Sequence, residues 1–274
     1  MRVLFLTHAF PRFAGDAAGS FLLRLAVALR SEGIDVNAIA PGAPGVPAQD
    51  VIEGVPVHRF RYAPRRFETL AYTGTMAEQV ATSWSARFSL LGFLGAELRA
   101  ARHARRALRP ALIHAHWWFP SGMVATWLRT LSPGTHMPIV TTLHGSDVRL
   151  GRRGALARSR FRAVLRQSSA VTTVSHWLAN GVTDVLPAAR PIVAPMPVAT
   201  DLFHPGRVRS TDRLLFVGRA NEQKGLRVLI QALAIARTPL SLDIVGDGDG
   251  RAPYERLASE LGVTERLHWR GALP

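Results

Sequence analysis

A histidine and an aspartate directly follow one short apolar segment of the chain. His144 and Asp147 lie in residues 141–147 (TTLHGSD), where a strand would give way to a loop. A neutral histidine can donate a hydrogen bond to a hydroxyl or carry a proton, and a nearby carboxylate can orient it or contact the ligand. The same two residues can instead cap the following helix, so the pattern leaves both interpretations open.

Two further histidines, His114 and His116, are separated by one residue in a segment typical of a strand. Alternate strand residues point to the same side, so the two rings share one face. Paired histidines can bind a metal ion, but no carboxylate lies nearby in sequence to complete a ligand set. We therefore expect no metal site and interpret the pair as ligand-contacting or packing residues.

Glycines occur in residues 10–20, which join the first apolar segment to the first helical one. Gly15 and Gly19 would let the backbone approach a ligand, and the start of a helix offers unpaired N–H groups to an anion. Asp16 lies between them. An ordinary loop that uses glycine for its turn geometry would have the same pattern.

A second set of candidates lies towards the C-terminal end. Arg219 and Lys224 flank the start of a predicted helix, and two cations beside free helix N–H groups form a good diphosphate site. A solvated charged loop is the alternative. Gly246 and Gly248 follow the next strand, and their spacing is not that of a dinucleotide fingerprint. We interpret them as a tight turn beside a nucleotide.

Short apolar segments alternate with segments of helical periodicity along the chain. Strands are predicted at residues 3–7, 35–40, 112–116, 139–143, 170–174, 192–194, 214–217, 242–245 and 267–269, with a hairpin at 51–60. Helices are predicted at residues 21–29, 75–108, 122–131, 155–167, 177–185, 226–236 and 254–261. This alternation predicts an α/β fold with parallel sheets. Ligands bind outside the carboxyl ends of such strands, where the candidate residues lie.

Prolines and glycines interrupt this pattern between residues 195 and 212. No helical period survives there, which favours a linker between domains. We predict a Rossmann-like domain over residues 1–194, the linker over 195–212, and a partial second domain over 213–274. The second domain would hold fewer elements than a usual nucleotide-binding domain, so we expect part of its sheet to be uncovered.

The composition narrows the class of protein. The 274 residues contain no cysteine, which excludes disulfides, thiolate metal sites and a cysteine nucleophile. No segment has the length of a signal peptide core or a membrane span, so we predict a cytoplasmic protein. The net charge of +15 favours an anionic partner: a phosphorylated substrate, a membrane surface or nucleic acid. An arginine-rich solvated surface would give the same charge.

Taken in order, these segments resemble the retaining glycosyltransferases of the GT-B fold, family 4, also called glycosyltransferase group 1. The resemblance covers nearly the whole chain and rests on FPRFAGDAAGSFLLRLAVAL, IHAHWWFPSG, TTLHGSDV, TVSHWL, LLFVGRANEQKGLRVLIQAL and LDIVGDGDG with the closing WRGALP. The VGR…KG segment followed by VGDG is the most specific, and HGSD is next. The resemblance implies two Rossmann-like domains, with the acceptor on the first and a nucleotide-diphosphate sugar on the second.

The resemblance also implies roles for individual residues. It implies that Arg219, Lys224, Gly15 and Gly19 bind the donor diphosphate and that Gly246 and Gly248 lie near the nucleotide. It places Asp16 and His116 on the acceptor side and His144 and Asp147 at the catalytic centre. It implies no metal and no cofactor, since the nucleotide sugar is a substrate. A hexose would pass to a glycan or lipid-linked acceptor with retention of configuration.

The chain departs from the family pattern in two places. Pro197 stands where the family's linker usually has glycine, and the family's downstream glutamate-rich segment is absent. We therefore expect this chain alone to be inactive. The alternatives are a non-catalytic binding or regulatory fragment, a nucleic-acid binder, which lacks a recognisable motif, and an oxidoreductase, which lacks the fingerprint.

Two arginine-rich segments, residues 90–109 and 149–166, would suit the anionic inner face of a cell membrane. Apolar residues are interleaved with the arginines in both: Leu91, Phe93, Leu94, Leu150, Leu156, Phe161, Val164 and Leu165. If these residues face the core instead, the arginines form an ordinary solvated surface.

Overall fold

The chain folds into two compact units. The structure, a computed structural model, describes residues 1–73, 76–132, 137–200, 203–204, 206, 210–246 and 250–273. Unit 1 is Met1–Leu202 and unit 2 is Phe203–Pro274. The predicted linker spans this division, and its residues 201–202, 205 and 207–209 lie outside the described residues.

Unit 1 alternates strands and helices. Its strands are β1 (Arg2–Leu6), β2 (Asp35–Pro41), β3 (Gln49–Ile52), β4 (Val55–Phe60), β5 (Leu112–His116), β6 (Ile139–Leu143), β7 (Ala170–Thr173) and β8 (Ile192–Val193). Its helices are α1 (Ser20–Ser31), α2 (Met76–Thr82), α3 (Trp84–Leu108), α4 (Met123–Thr130), α5 (Ser146–Gly151), α6 (Gly154–Gln167) and α7 (His176–Val185).

Within the described residues these strands form one eight-stranded sheet in the order β3-β4-β2-β1-β5-β6-β7-β8. Every pair is parallel except the β3–β4 hairpin. Alternate residues of β1 enter different apolar clusters, Leu4 and Leu6 on one face and Val3 and Phe5 on the other. Because both of its faces are covered, β1 is apolar without a break from Val3 to Leu6.

Strands β2 to β4 lie on one side of β1 in the sheet, and the later strands lie on the other side. β1 pairs with β2 on one side and with β5 on the other. The loops after β1 and β5 therefore lead to opposite faces of the sheet, which opens a crevice at their carboxyl ends. The candidate residues of unit 1 lie at this crevice.

The structure confirms the predicted α/β class and the strands of unit 1. It differs from the prediction in that one predicted helix is divided in two and one short helix was not predicted. The helix predicted over residues 75–108 is two helices, since Ser83 is extended and its hydroxyl caps α3 at the N–H of Ala86. A serine before Trp84 is a recognisable N-cap signal. The short helix α5 was not predicted, because its six residues are too few to show a helical period.

Unit 2 contains β9 (Arg213–Val217), α8 (Leu226–Ile235), β10 (Ser241–Val245), α9 (Arg251–Glu260) and β11 (Leu267–Gly271). Its described strands form a parallel sheet in the order β11-β10-β9. Leu214 and Phe216 of β9 pack on a core shared with α8 and α9, whereas Leu215 and Val217 are exposed. The side chains on one face of β9 are therefore exposed.

Candidate functional site

The loop between β1 and α1 is held by an ion pair within the loop. The buried Asp16 accepts hydrogen bonds from the Arg12 side chain at 2.7 and 3.0 Å, and from the backbone N–H groups of Arg12 and Ala18. Burial alone would raise the pKa of Asp16, but the hydrogen bonds from Arg12 outweigh it and lower that pKa to about 2. Asp16 is therefore ionised at neutral pH and shapes the loop.

The two loop glycines differ in their surroundings. Gly19 begins α1 at a φ of 74°, and a Cβ there would lie 2.6 Å from the carbonyl oxygen of Ala9. Only glycine therefore lets α1 start against the end of β1. Gly15 has a φ of 86° and open space around its Cα. From β4, the Arg59 guanidinium anchors the start of the loop at the carbonyl oxygen of Pro11, 2.6 Å away.

Four histidines meet at the carboxyl ends of β1, β5 and β6. The ring centroids of His114 and His116 are 4.3 Å apart, and those of His116 and His144 are 5.4 Å apart. His8 joins them through Trp117, whose ring lies 4.2 Å from His8 and 4.4 Å from His144. The fold thus brings the predicted residues His116 and His144 together.

Hydrogen bonds link three of these rings and two threonines. Nε2 of His114 lies 2.6 Å from Oγ1 of Thr142, which in turn lies 2.6 Å from Oγ1 of Thr172. Nδ1 of His116 lies 3.3 Å from Nε2 of His144. The two histidines of β5 therefore have separate partners on β6 and the loop after it.

Burial keeps the cluster uncharged. It lowers the pKa of His8 and His114 to about 4 and that of His144 to about 3, and it holds the pKa of His116 well below its usual range. All four rings are therefore neutral at pH 7. They can donate and accept hydrogen bonds, but they do not attract an anion by charge.

Asp147 fixes the turn that carries His144. Its Oδ1 accepts hydrogen bonds from the backbone N–H groups of His144 at 3.1 Å and Gly145 at 2.9 Å, while its buried Oδ2 has no partner in the described part of the chain. Burial raises the pKa of Asp147 to about 6. Its hydrogen bonds go to the backbone of His144, so a catalytic role for Asp147 stays a prediction.

Unit 2 forms its candidate site from backbone segments. A Cβ on Gly246, after β10, would overlap the carbonyl oxygen of Gly218, after β9. A Cβ on Gly250 would lie 2.7 Å from the carbonyl oxygen of Ala220. Two strand-end loops therefore touch through their main chains, which only glycine permits. Gly248, also predicted here, lies outside the described residues.

Cations flank this backbone contact. Lys224 is exposed, and its Cγ and Cδ lie 3.7 Å from the position of a Cβ on Gly218. Arg219 directly follows Gly218 and is also exposed. Gly225, with a φ of 74°, begins α8. Lys224 thus lies at the N-terminal end of α8, whose first N–H groups carry partial positive charge.

Two polar residues of unit 1, His8 and Glu97, were not among the residues predicted from the sequence. His8 follows β1 by two positions, and its place after a buried strand was the available signal. Glu97 is buried in α3 and accepts a hydrogen bond from the Ser121 hydroxyl at 2.6 Å. Glu97 occupies a position of α3 at which the helical periodicity predicts an apolar residue. Among the described residues, no three His, Cys, Asp or Glu side chains are arranged to hold a metal ion.

Comparison with models of known protein families identifies the family of this chain. The sequence model of Glycosyltransferase Family 4 matches residues 18–202, more than half of the chain. The chain belongs to that family. The model of Glycosyl transferases group 1 matches residues 201–274.

Curated relatives of this glycosyltransferase match it at low identity. A putative teichuronic acid biosynthesis glycosyltransferase from Bacillus subtilis is 24% identical and aligns with 92% of the chain. A 2-deoxystreptamine glucosyltransferase from Streptomyces kanamyceticus is 26% identical over the same share. The chain spans 67% and 69% of the lengths of these two proteins.

Solved structures confirm the GT-B fold class. Sucrose-phosphate synthase from Thermosynechococcus elongatus superposes with a TM-score of 0.74 at 19% identity, over 99% of this chain and 70% of its own. Anabaena HepE, solved with UDP-glucose, gives a TM-score of 0.62 at 16% identity over 100% of this chain and 70% of its own. These likenesses concern the fold.

In the two arginine-rich segments of this glycosyltransferase, residues 90–109 and 149–166, fewer apolar residues are exposed than the sequence predicted. Most of the interleaved residues are buried in the core, so the expectation that they face a membrane is wrong for Phe93, Leu94, Phe161, Val164 and Leu165. Leu91 and Leu156 are exposed. Arg158 and Arg162 of α6 donate hydrogen bonds to the backbone carbonyl oxygens of Asp184 and Val185, whereas Arg160 and Arg166 are exposed.

A different apolar surface is exposed at the start of α3. Trp84, Phe88 and Leu91, here called the α3 ridge, lie on successive turns and are 73%, 70% and 66% exposed. The Arg87 guanidinium lies 4.4 Å from the ring centroid of Trp84. No helix in the described part of the glycosyltransferase has the length and apolar character needed to cross a membrane.

Proposed function

We propose that this glycosyltransferase takes a hexose from a nucleotide-diphosphate sugar and passes it to a hydroxyl of a glycan or lipid-linked acceptor. The observation that supports this most is the main-chain contact of Gly218 with Gly246 beside Lys224 and Arg219. A diphosphate needs close backbone and positive charge, and this end of the sheet offers both. The solved complex of HepE with UDP-glucose is consistent with such a donor.

In this proposal unit 2 acts mainly on the leaving group. The bond between the sugar's anomeric carbon and the diphosphate oxygen breaks, and negative charge grows on the diphosphate. Arg219, Lys224 and the first N–H groups of α8 stabilise that charge, which is commonly the largest contribution to such a reaction. Because the protein supplies these charges itself, we propose that donor binding needs no metal.

Unit 1 contributes neutral groups. The acceptor hydroxyl attacks the anomeric carbon from the face that the diphosphate leaves, so the configuration is retained, and its proton passes to the departing diphosphate oxygen. His144 is neutral at pH 7 and can hydrogen-bond to an uncharged sugar. No protein nucleophile takes part in this scheme.

We also propose a peripheral contact with an anionic membrane surface on the cytoplasmic side. The α3 ridge combines an aromatic pair, a leucine and the neighbouring Arg87, a combination suited to the interface between water and lipid. A lipid-linked acceptor would lie at such a surface.

The donor proposal is tested by isothermal titration of the purified chain with UDP and with GDP, in the presence of EDTA. We expect one of the two to bind and AMP to bind far more weakly, since AMP lacks the second phosphate. If neither UDP nor GDP binds a chain shown to be folded by circular dichroism, the proposed donor class is wrong.

A further inference from the structure

Within the described part of the chain, the buried His116 ring has one hydrogen-bond partner, the ring of His144. Nδ1 of His116 lies 3.3 Å from Nε2 of His144, and Nε2 of His116 is buried with no partner among the described residues. His116 is fully buried, whereas His144 is partly exposed. The contact therefore joins an inaccessible ring to one that a ligand can reach.

Two neutral arrangements of the pair fit this geometry, and they differ in which kind of atom is left without a partner. If Nδ1 of His116 accepted the hydrogen bond, its proton would lie on Nε2, leaving a buried N–H donor without an acceptor. If Nδ1–H of His116 donates instead, the unpartnered atom is a bare lone pair. Buried N–H donors without a partner are rarer in proteins than unpaired acceptors, so the second arrangement is favoured.

This choice fixes the proton on His144. When Nε2 of His144 accepts from His116, the single ring proton of a neutral histidine must lie on Nδ1. Rotation of the ring is opposed on its faces by Trp117 at 4.4 Å and Phe21 at 5.2 Å between centroids. The backbone of His144 is held by Asp147. Both the position and the protonation of the ring are thereby set.

We propose that His116 is a positioning residue that holds His144 as the Nδ1–H tautomer. His144 then meets its ligand as a hydrogen-bond donor, and the matching ligand atom is an oxygen with a free lone pair. A general-base role through the exposed nitrogen is excluded, because that nitrogen already carries the proton. The assignment of this oxygen to a sugar rests on the proposed function, but the tautomer does not.

The tautomer is measured directly by NMR of the chain labelled with ¹⁵N-histidine. Two-bond proton–nitrogen correlations separate protonated from unprotonated ring nitrogens, and His144→Gln identifies the signals of His144. At pH 7 we expect protonated Nδ1 and unprotonated Nε2. His144 protonated at Nε2 in the unaltered chain would overturn the proposal, whatever any variant does.

Substitutions test whether His116 causes the effect. His116→Phe keeps a ring but removes the donor, and we expect His144 to change to a mixture of tautomers. His116→Asn places an N–H close to the former Nδ1, so it should restore the single tautomer. His114→Phe is the matched control, because His114 has the same strand face but hydrogen-bonds to Thr142. The signals of His58 in β4 and His176 in α7 report whether the variant is folded. If these signals are intact and the tautomer of His144 is unchanged in His116→Phe, the inference is also contradicted.

These outcomes are independent of the donor proposal. Failure of UDP and GDP to bind would remove the proposed function and leave the tautomer result standing. Conversely, an Nε2–H tautomer in a chain that binds a nucleotide would reject the role of His116 alone.

Discussion

The two units use opposite means to build their candidate sites. In unit 1, neutral side chains are buried against each other, as in the ring contacts of His116 with His144. In unit 2, main-chain segments touch at Gly218 and Gly246, and the cation of Lys224 stays in solvent.

The two candidate sites should therefore be sensitive to different changes. A site of buried titratable groups depends on pH and on the loss of a partner, because ionisation in a buried position is costly. A site of touching backbones depends on added atoms, because there is no space for a Cβ.

The largest effect is expected from Gly246→Ala. The new Cβ would overlap the carbonyl oxygen of Gly218, and φ at this position is 129°. Backbone strain of about 1–2 kcal/mol and overpacking of about 1–3 kcal/mol add to roughly 2–5 kcal/mol. A domain as small as unit 2 has little more stability than that. Limited proteolysis should therefore digest unit 2 and spare unit 1.

Gly262→Ala is the control for this prediction. Gly262 also has a positive φ, 67°, but a Cβ there would meet no atom within 4 Å. It should cost only the strain of about 1–2 kcal/mol. Equal protease resistance of the Gly246 and Gly262 variants would show that the backbone contact does not matter.

Arg219→Ala and Lys224→Ala should each weaken nucleoside diphosphate binding. A hydrogen bond to a charged group contributes about 1.5–3 kcal/mol, which corresponds to roughly a ten- to hundredfold loss of affinity. Titration calorimetry with whichever of UDP and GDP binds measures this. Arg227→Ala is the matched control, because its guanidinium pairs with Glu222 at 3.1 Å. Unchanged affinity in both test variants would remove these cations from the donor site.

Glu97→Gln should stabilise unit 1 at alkaline pH. Burial raises the pKa of Glu97 from 4.5 to about 8, so the stability contributed by its protonated form is complete below 4.5 and is lost as pH rises through 8. Glutamine has no such dependence. We expect a gain of about 1–3 kcal/mol at pH 8.5 relative to pH 4.5, from urea unfolding followed by tryptophan fluorescence.

The exposed Glu78 of α2 provides the comparison for that measurement. Glu78→Gln removes a carboxylate at the surface, so its effect should differ little between the two pH values. If Glu97→Gln likewise changes stability by the same amount at pH 4.5 and pH 8.5, Glu97 is not held protonated by burial.

The smallest effect is expected for membrane binding. Replacing the three residues of the α3 ridge by serine should lower co-sedimentation with phosphatidylglycerol vesicles at low salt about tenfold, or ~1.4 kcal/mol. The control replaces Arg158, Arg162 and Arg166 of α6 by glutamine. A larger loss in this control would assign the contact to α6. Negligible binding of the unaltered chain to anionic vesicles would reject the membrane proposal.

Local pattern predicted most of the fold. The strand predicted at residues 139–143 is confirmed residue for residue, because its first four residues, Ile139 to Thr142, are all β-branched and favour a strand. The break at Ser83 was missed because apolar residues continue at helical spacing on both sides of it. The hairpin around Glu53 and Gly54 was predicted from its turn residues and is confirmed.

The candidate site was less predictable, because it depends on residues distant in sequence. His116 and His144 were each placed at a strand end, but their contact requires the pairing of β5 with β6. Glu97 was missed since a carboxylate on the buried face of a helix runs against the expected pattern. The orientation of Phe93 and Phe161 towards the core follows from their helical period, which arginine content alone obscured.

The order of strands also sets how each unit can fold. In unit 2 neighbouring strands are close in sequence, and Leu214 pairs with Leu242. In unit 1 the central strand β1 pairs Val3 with Leu112, so β1 to β4 form a half-sheet with an open edge until β5 is made. Contacts between such distant residues slow folding. During synthesis the apolar edge of β1 is therefore exposed until α3 and β5 have left the ribosome, and the growing chain is most prone to aggregation in that interval.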